Sequence, residues 1–233
     1  QIKKGERVGL IGEAGCGKTT VLKAAAAVLQ SPPAIIRKDA IEVCGRSIDG
    51  KAGIQNVRRN ASMIFQDPST SLNPTLKIST QMLDILKSQF KKESRETYQR
   101  MMLEALGAVS MPAPERVLGS YPVQLSGGMR QRVCIAMALM KDTELMLADE
   151  PTTALDVTIE EQILELLDQL VREKNKSLIL VSHALGAIRK ITDRVYVMYA
   201  GNIVEAGMTR EVFERPKHPY TIGLLAATPK LSG

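Results

Sequence analysis

With 233 residues, 44% of them hydrophobic and 24% charged, the chain is long enough to bury a substantial core, and its composition excludes a disordered polypeptide. Its net charge of +6 comes from Lys and Arg spread along the sequence, and with aromatic residues at 3% there is no platform for stacking bases, which argues against nucleic acid as a partner. Cys16, Cys44 and Cys134 form no C-x-x-C pair, and no apolar run reaches the roughly 18 residues of a membrane span, so neither a cysteine framework nor a spanning helix is expected.

The opening, Gln1-Ile2-Lys3-Lys4-Gly5-Glu6, is not a signal peptide and leads almost directly into a strand, as though further strands preceded it. Residues 7–11, Arg7-Val8-Gly9-Leu10-Ile11, have the branched apolar character of a buried parallel strand, and residues 21–29 are strong helix formers. Between them runs Gly12-Glu13-Ala14-Gly15-Cys16-Gly17-Lys18-Thr19-Thr20, the G-x-x-x-x-G-K-T pattern in the strand-to-helix setting it requires. A triphosphate needs several backbone N–H groups turned into one concavity. Gly15 and Gly17 permit that path, and the positive end of the following helix adds to the attraction. Lys18 is expected on the β and γ phosphates, Thr19 on Mg²⁺ and Thr20 on the α phosphate. Cys16 is expected to offer its N–H, with a thiol exposed in the cradle.

Ser31-Pro32-Pro33 ends the helical pattern. Residues 41–45 read as a strand, with Cys44 a small buried residue, and residues 46–50 as the turn after it. Ser62-Met63-Ile64-Phe65 is a short strand stopped by Pro68, which leaves Gln66 at its carboxyl end, where open α/β sheets gather ligands. From about 75 to 111 the pattern turns helical, with Ile78, Met82, Ile85, Leu86 and Gln89 at helix spacing. The charge run at 91–96 is a solvated face. Leu125-Ser126-Gly127-Gly128 starts another helix, with Ser126 as N-cap and two glycines that allow close backbone approach.

Residues 144–150 form an apolar strand ending in two carboxylates. In phosphoryl transfer their roles separate: Asp149 would hold Mg²⁺, and Glu150 would polarise the attacking water. After Asp156 comes an amphipathic helix with the stripe Ile159, Ile163, Leu166, Leu167 and Leu170. The strand at 177–181 ends at Ser182-His183. His183 reads either as satisfied structure or as a γ-phosphate contact, and the convergence of polar strand ends favours the second. A hairpin follows, 194–200 and 203–207 across Gly201-Asn202, and residues 218–227 close as an amphipathic segment.

Taken together, Gly12 to Thr20, Gln66, Leu125-Ser126-Gly127-Gly128, Leu145 to Glu150, Asp156 and His183 resemble the ATP-binding-cassette ATPases over essentially the whole chain. Within that family, Gln66-Asp67-Pro68, Ser71-Leu72-Asn73-Pro74 and His218-Pro219-Tyr220-Thr221 with Leu224-Leu225 are similar to the oligopeptide, dipeptide and nickel import branch. The ending Ala227-Thr228-Pro229-Lys230-Leu231-Ser232-Gly233 is similar to the first of that branch's two ATPase subunits. The resemblance implies an α/β P-loop NTPase core of RecA type, with a mostly parallel sheet, an antiparallel β portion and an inserted helical subdomain. Residues 1–74 and 141–233 would form the core, and 75–140 the insertion. It implies ATP and Mg²⁺ as ligands, with Gln66 linking the metal site to the membrane subunits. Ser126, Gly127 and Gly128 would touch the γ phosphate held by a second ATPase subunit, with Asp156 at the seam. Two permease subunits and an extracytoplasmic solute-binding protein complete the implied assembly, on the cytoplasmic face of the inner membrane. The family departures are Cys16 where Ser is usual, Ala184 after His183 where Asp is common, and no upstream aromatic for adenine. The competing expectation is a soluble accessory ATPase of an enzyme complex, as in carbon-phosphorus lyase.

Overall fold

The computed structural model describes residues 1–29, 40–90, 93–152, 155 and 157–227. Strand β1 (Arg7–Ile11) lies inside a six-stranded sheet. On one side it pairs in parallel with β6 (Ser177–Val181), followed by β5 (Leu145–Asp149) and β4 (Ala61–Ile64), all running the same way. On the other side it pairs in parallel with β7 (Arg194–Tyr199), and β8 (Asn202–Met208) closes the edge antiparallel to β7. The central strands read as near-continuous apolar runs because both their faces are covered. Val8, Leu10, Met146, Leu147, Leu178, Leu180 and Val195 are all buried. The expected fold class is borne out, and its parallel strands put the ends of β1, β4, β5 and β6 along one edge of the sheet.

The helices differ from the sequence reading in instructive places. Helix α1 (Lys18–Ala25) stops short of residue 29. Ala27 turns left-handed at φ 54° and the Val28 N–H reaches back to the Lys23 carbonyl at 3.0 Å, a helix-terminating turn. Helix α2 (Gly50–Asn60) was not expected at all. The stretch at 41–50 is a small antiparallel hairpin, β2 (Glu42–Val43) and β3 (Arg46–Ser47), turned at Cys44 and Gly45, both with positive φ. Cys44 is therefore exposed at a hairpin tip, not buried.

Helices α4 (Ile78–Gln89), α5 (Arg95–Ala108) and α7 (Gly127–Met140) bury Ile78, Met82, Leu86, Met102, Leu106, Val133 and Ile135, and these belong to the same continuous core as the sheet residues Ile64, Met146 and Leu180, while α3 (Pro68–Ser71), α6 (Pro114–Gly119), α9 (Leu185–Ile191) and α10 (Thr209–Glu214) are short helices. In α8 (Val157–Glu173) the buried face is Ile163, Leu164, Leu167, Leu170 and Val171, while Ile159 and Leu166 are half-buried against it. Each fully buried Leu or Ile contributes on the order of 2 kcal/mol. Arg7 fastens the start of β1: its backbone N–H and Nε donate to Asp193 Oδ2 at 2.9 and 3.1 Å, and its Nη1 to Asp168 Oδ1 at 3.0 Å. Among the described residues no helix is long and apolar enough to cross a membrane.

Candidate active site

The turn leaving β1 owes its path to two glycines. A Cβ on Gly12 would come within 2.1 Å of the Met198 carbonyl oxygen, so only a bare backbone fits between loop and hairpin. Gly17, at φ 107°, reverses the chain into α1 and leaves the first N–H groups of that helix facing the loop. Lys18 is only 4% exposed, and its Nζ donates to the carbonyls of Gly12 at 2.9 Å and Glu13 at 2.8 Å and lies 3.8 Å from Cys16 Sγ. All three partners are neutral. A buried ammonium so surrounded, at a helix N-terminus, is an arrangement that an anion would complete. Cys16, expected to be exposed, is buried at 8%, because its side chain turns towards Leu10, Leu22 and Met198 beneath the loop.

The other strand ends meet this turn. The Thr19 hydroxyl donates to Asp149 Oδ1 at 3.0 Å, joining the start of α1 to the end of β5. Asp149 is 1% exposed. Burial is the main influence on its carboxyl and lifts its pKa. The neighbouring Glu150 charge adds to the rise, while the Thr19 hydrogen bond and the ammonium groups of Lys23 and Lys18 oppose it. Gln66 Nε2, from the end of β4, donates to Glu150 Oε2 at 3.0 Å, and His183 Nε2, from the end of β6, lies 2.7 Å from Glu150 Oε1. Glu150 itself adopts φ +45°, a left-handed conformation that costs a non-glycine residue on the order of 1 kcal/mol or more, and its N–H is tied to the Val181 carbonyl at 2.9 Å. The strain aims its carboxylate at Gln66 and His183.

Lys18, Thr19, Gln66, Asp149, Glu150 and His183 are thus brought together from four strand ends. Gly12, Glu13, Ala14, Gly15, Cys16, Gly17 and Thr20 complete the loop and first helical turn. Ser126, Gly127 and Gly128 are placed elsewhere. Ser126 Oγ caps α7 by accepting the Met129 N–H at 3.3 Å, and Cβ atoms on Gly127 and Gly128 would meet Leu155 and Ile159 at 3.7 and 3.2 Å. Asp156 lies outside the described residues, as do Thr228 to Gly233. Thr19 and Asp149 offer the hard oxygen donors Mg²⁺ prefers, so these residues fit that ion. Sequence reasoning missed three contacts on the loop: the Met198 carbonyl against Gly12, the Gly201 N–H donated to the Cys16 carbonyl at 3.1 Å, and the Tyr220 hydroxyl that accepts the Glu13 N–H at 2.9 Å.

A mostly parallel sheet whose first strand runs through a glycine-rich turn into a helix, with a Thr–Asp contact from that helix to the end of β5, defines a P-loop nucleoside triphosphatase fold. Comparison with known proteins narrows the class. The family model for ABC transporters matches residues 1–153, and the model for the oligopeptide/dipeptide transporter C-terminal region matches residues 204–233. The chain belongs to the ABC transporter family. Among its relatives are the oligopeptide transport ATP-binding protein OppD of Bacillus subtilis, 45% identical over 99% of this chain, and the dipeptide transport ATP-binding protein DppD of the same organism, 43% identical over 98%. The chain spans 65% and 69% of those two proteins. Among solved structures, the post-hydrolysis dimer of the ATP-binding cassette MJ0796 bound to ADP and Pi aligns with a TM-score of 0.78 at 28% identity, covering 90% of this chain and 88% of that one. The structure of cbiO1 from Clostridium perfringens, part of the ABC transporter complex cbiONQ, aligns with a TM-score of 0.77 at 25% identity, covering 92% of this chain and 82% of that one. The family and branch expected from the motifs are those found.

Proposed function

We propose that the chain is the ATP-hydrolysing part of a membrane importer for peptides or related small solutes. The observation that carries this reading is the cluster at the strand ends: a buried lysine hydrogen-bonded to neutral backbone carbonyls, a Thr19–Asp149 pair, and a Glu150 carboxylate oriented by Gln66 and His183. In this reading the N–H groups of residues 12–20 cradle the triphosphate, Lys18 lies against the β and γ phosphates, and Thr20 against the α phosphate. Thr19, Gln66 and Asp149 hold Mg²⁺, which when bound neutralises phosphate charge. Glu150 takes a proton from the attacking water, and His183 contacts the γ phosphate.

Ser126, Gly127 and Gly128 complete the site of a second ATPase subunit, with Asp156 at the seam. The near neighbours of Gly127 and Gly128, Leu155 and Ile159 instead of loop residues, and the dimeric form of the MJ0796 cassette support that arrangement. Residues 75–140 act as a helical subdomain on a core formed by 1–74 and 141–233. The OppD and DppD likenesses support peptide import in preference to a soluble accessory ATPase. They also support a place on the cytoplasmic face of the membrane with two permease subunits and an extracytoplasmic binding protein.

The test is Glu150→Gln in the full-length protein. General-base removal lowers hydrolysis by about 100-fold or more, while ATP affinity stays within about threefold because the side chain keeps its shape and an acceptor for Gln66. Turnover within about tenfold of wild type would take the base role away from Glu150.

A further inference from the structure

Tyr220 reaches the phosphate loop from a segment that the nucleotide chemistry leaves without a task. Glu205 on β8 accepts the N–H groups of Lys217 at 2.8 Å and His218 at 3.0 Å, which fastens the approach to helix α11 (Pro219–Ala226) onto the hairpin. His218 then caps that helix, its Nδ1 accepting the Tyr220 N–H at 3.1 Å, and Pro219 presets the first helical turn. The tyrosine ring so placed packs on Tyr199 with centroids 4.5 Å apart, and its hydroxyl accepts the Glu13 N–H at 2.9 Å.

Glu13 is the pivot of the loop. Its carbonyl receives Lys18 Nζ at 2.8 Å and the Cys16 N–H at 3.3 Å, so the residue whose N–H Tyr220 holds also holds the lysine. On the far side the Gly201 N–H grips the Cys16 carbonyl. We propose that Tyr220 is a positioning residue of the nucleotide site: by fixing the Glu13 amide it presets the loop and the place of Lys18 before ATP arrives. The consequence is that the region matched by the oligopeptide/dipeptide C-terminal model, residues 204–233, sets the ATP affinity of a loop common to the wider family. The phenol, ordinarily neutral near physiological pH, is kept further from ionisation by burial, which raises its pKa. This inference rests on the reading of residues 12–20 as the triphosphate site.

Tyr220→Phe keeps the ring pair and deletes the acceptor. Preorganisation acts on ground and transition states alike, so in the full-length protein Kd and KM for ATP rise about three- to fivefold while kcat stays within about twofold. GTP weakens by the same factor, since the loop reads phosphates and not the base. The melting temperature stays within about 2 °C of wild type, because the lost bond is a single exposed one. An unchanged Kd would overturn the proposal, and so would a Kd shift matched by a fall in melting temperature as large as that of Tyr220→Ala. Lys18→Ala, run alongside, separates the two readings: if it binds ATP like wild type, the phosphate site itself is misassigned. If it loses ATP while Tyr220→Phe does not weaken, only the role of Tyr220 fails.

Discussion

Replacing Asp149 by Asn should make the protein more stable without nucleotide and less stable with it. Asp149 is 1% exposed and receives a hydrogen bond from Thr19, with Glu150 adjacent. Burial is the first cause of its raised pKa, ahead of the opposing hydrogen bond and the lysines. A carboxyl whose folded pKa is raised binds its proton better in the folded state, so stability falls as pH climbs from the unfolded value of 3.8 through the folded one. At neutral pH the ionised form is therefore a net cost. Asn keeps an oxygen for the Thr19 hydroxyl and removes the charge. The gain is about 1 kcal/mol, the scale of a partly compensated buried polar group, or about 2–4 °C in a chain of this size. It narrows as pH falls through the raised folded pKa and the wild-type carboxyl takes up its proton. Nucleotide reverses the order. A ligand at about 100 times its Kd stabilises the folded state by about 2.7 kcal/mol, and the Asn variant forfeits most of that if Asp149 holds Mg²⁺. Thermal unfolding at pH 7.5 with and without millimolar MgATP reads both effects. A variant that melts below wild type in the absence of nucleotide would refute the claim that burial of the charge dominates at this position.

Two further substitutions probe the frame around the site. Gly12→Ala drives a methyl to 2.1 Å from the Met198 carbonyl at a φ of +151°; displacing loop or hairpin should cost about 2 kcal/mol or more and weaken ATP binding over tenfold, measured by unfolding and by titration of a fluorescent nucleotide. Arg7→Met strips Asp193 of its guanidinium partner, leaves Asp168 with Arg172 alone, and should cost about 2 kcal/mol at pH 7, read by denaturant unfolding. Burial alone would raise the Asp193 pKa, yet Arg7 holds it below 3.8, so the wild-type pair loses its contribution only as pH falls through that lowered value, and the variant should unfold at higher pH in acid titration.

The chemistry of the site was legible in the sequence because each of its parts is local. Lys18 and Thr19 follow a glycine turn, and Asp149 and Glu150 follow an apolar run and precede Pro151, so strand, stop and polar end can be read within a few residues. Helix α2 was not legible because Gly50, Gly53, Asn56 and Asn60 are poor helix formers. Its stability comes from tertiary contact, with Gly53 packed so tightly on β3 and the turn after it that a Cβ would lie 2.3 Å from the Ile48 carbonyl carbon. The same distinction governs Cys16. From its neighbours the thiol belongs in the cradle, but Met198 and Leu22 draw it under the loop.

What sequence spacing conveys, then, is which groups the loop carries, whereas the shape in which it carries them is imposed from far along the chain. The Met198 carbonyl, the Gly201 amide and the Tyr220 hydroxyl all touch residues 12–16 and all lie beyond residue 197. A loop rich in glycine gains freedom that must be removed elsewhere if its amides are to converge without a large ordering cost on binding. In this chain the hairpin and α11 remove it. Phosphate affinity should therefore respond to changes in β7, β8 and α11 that leave every residue of the motif intact.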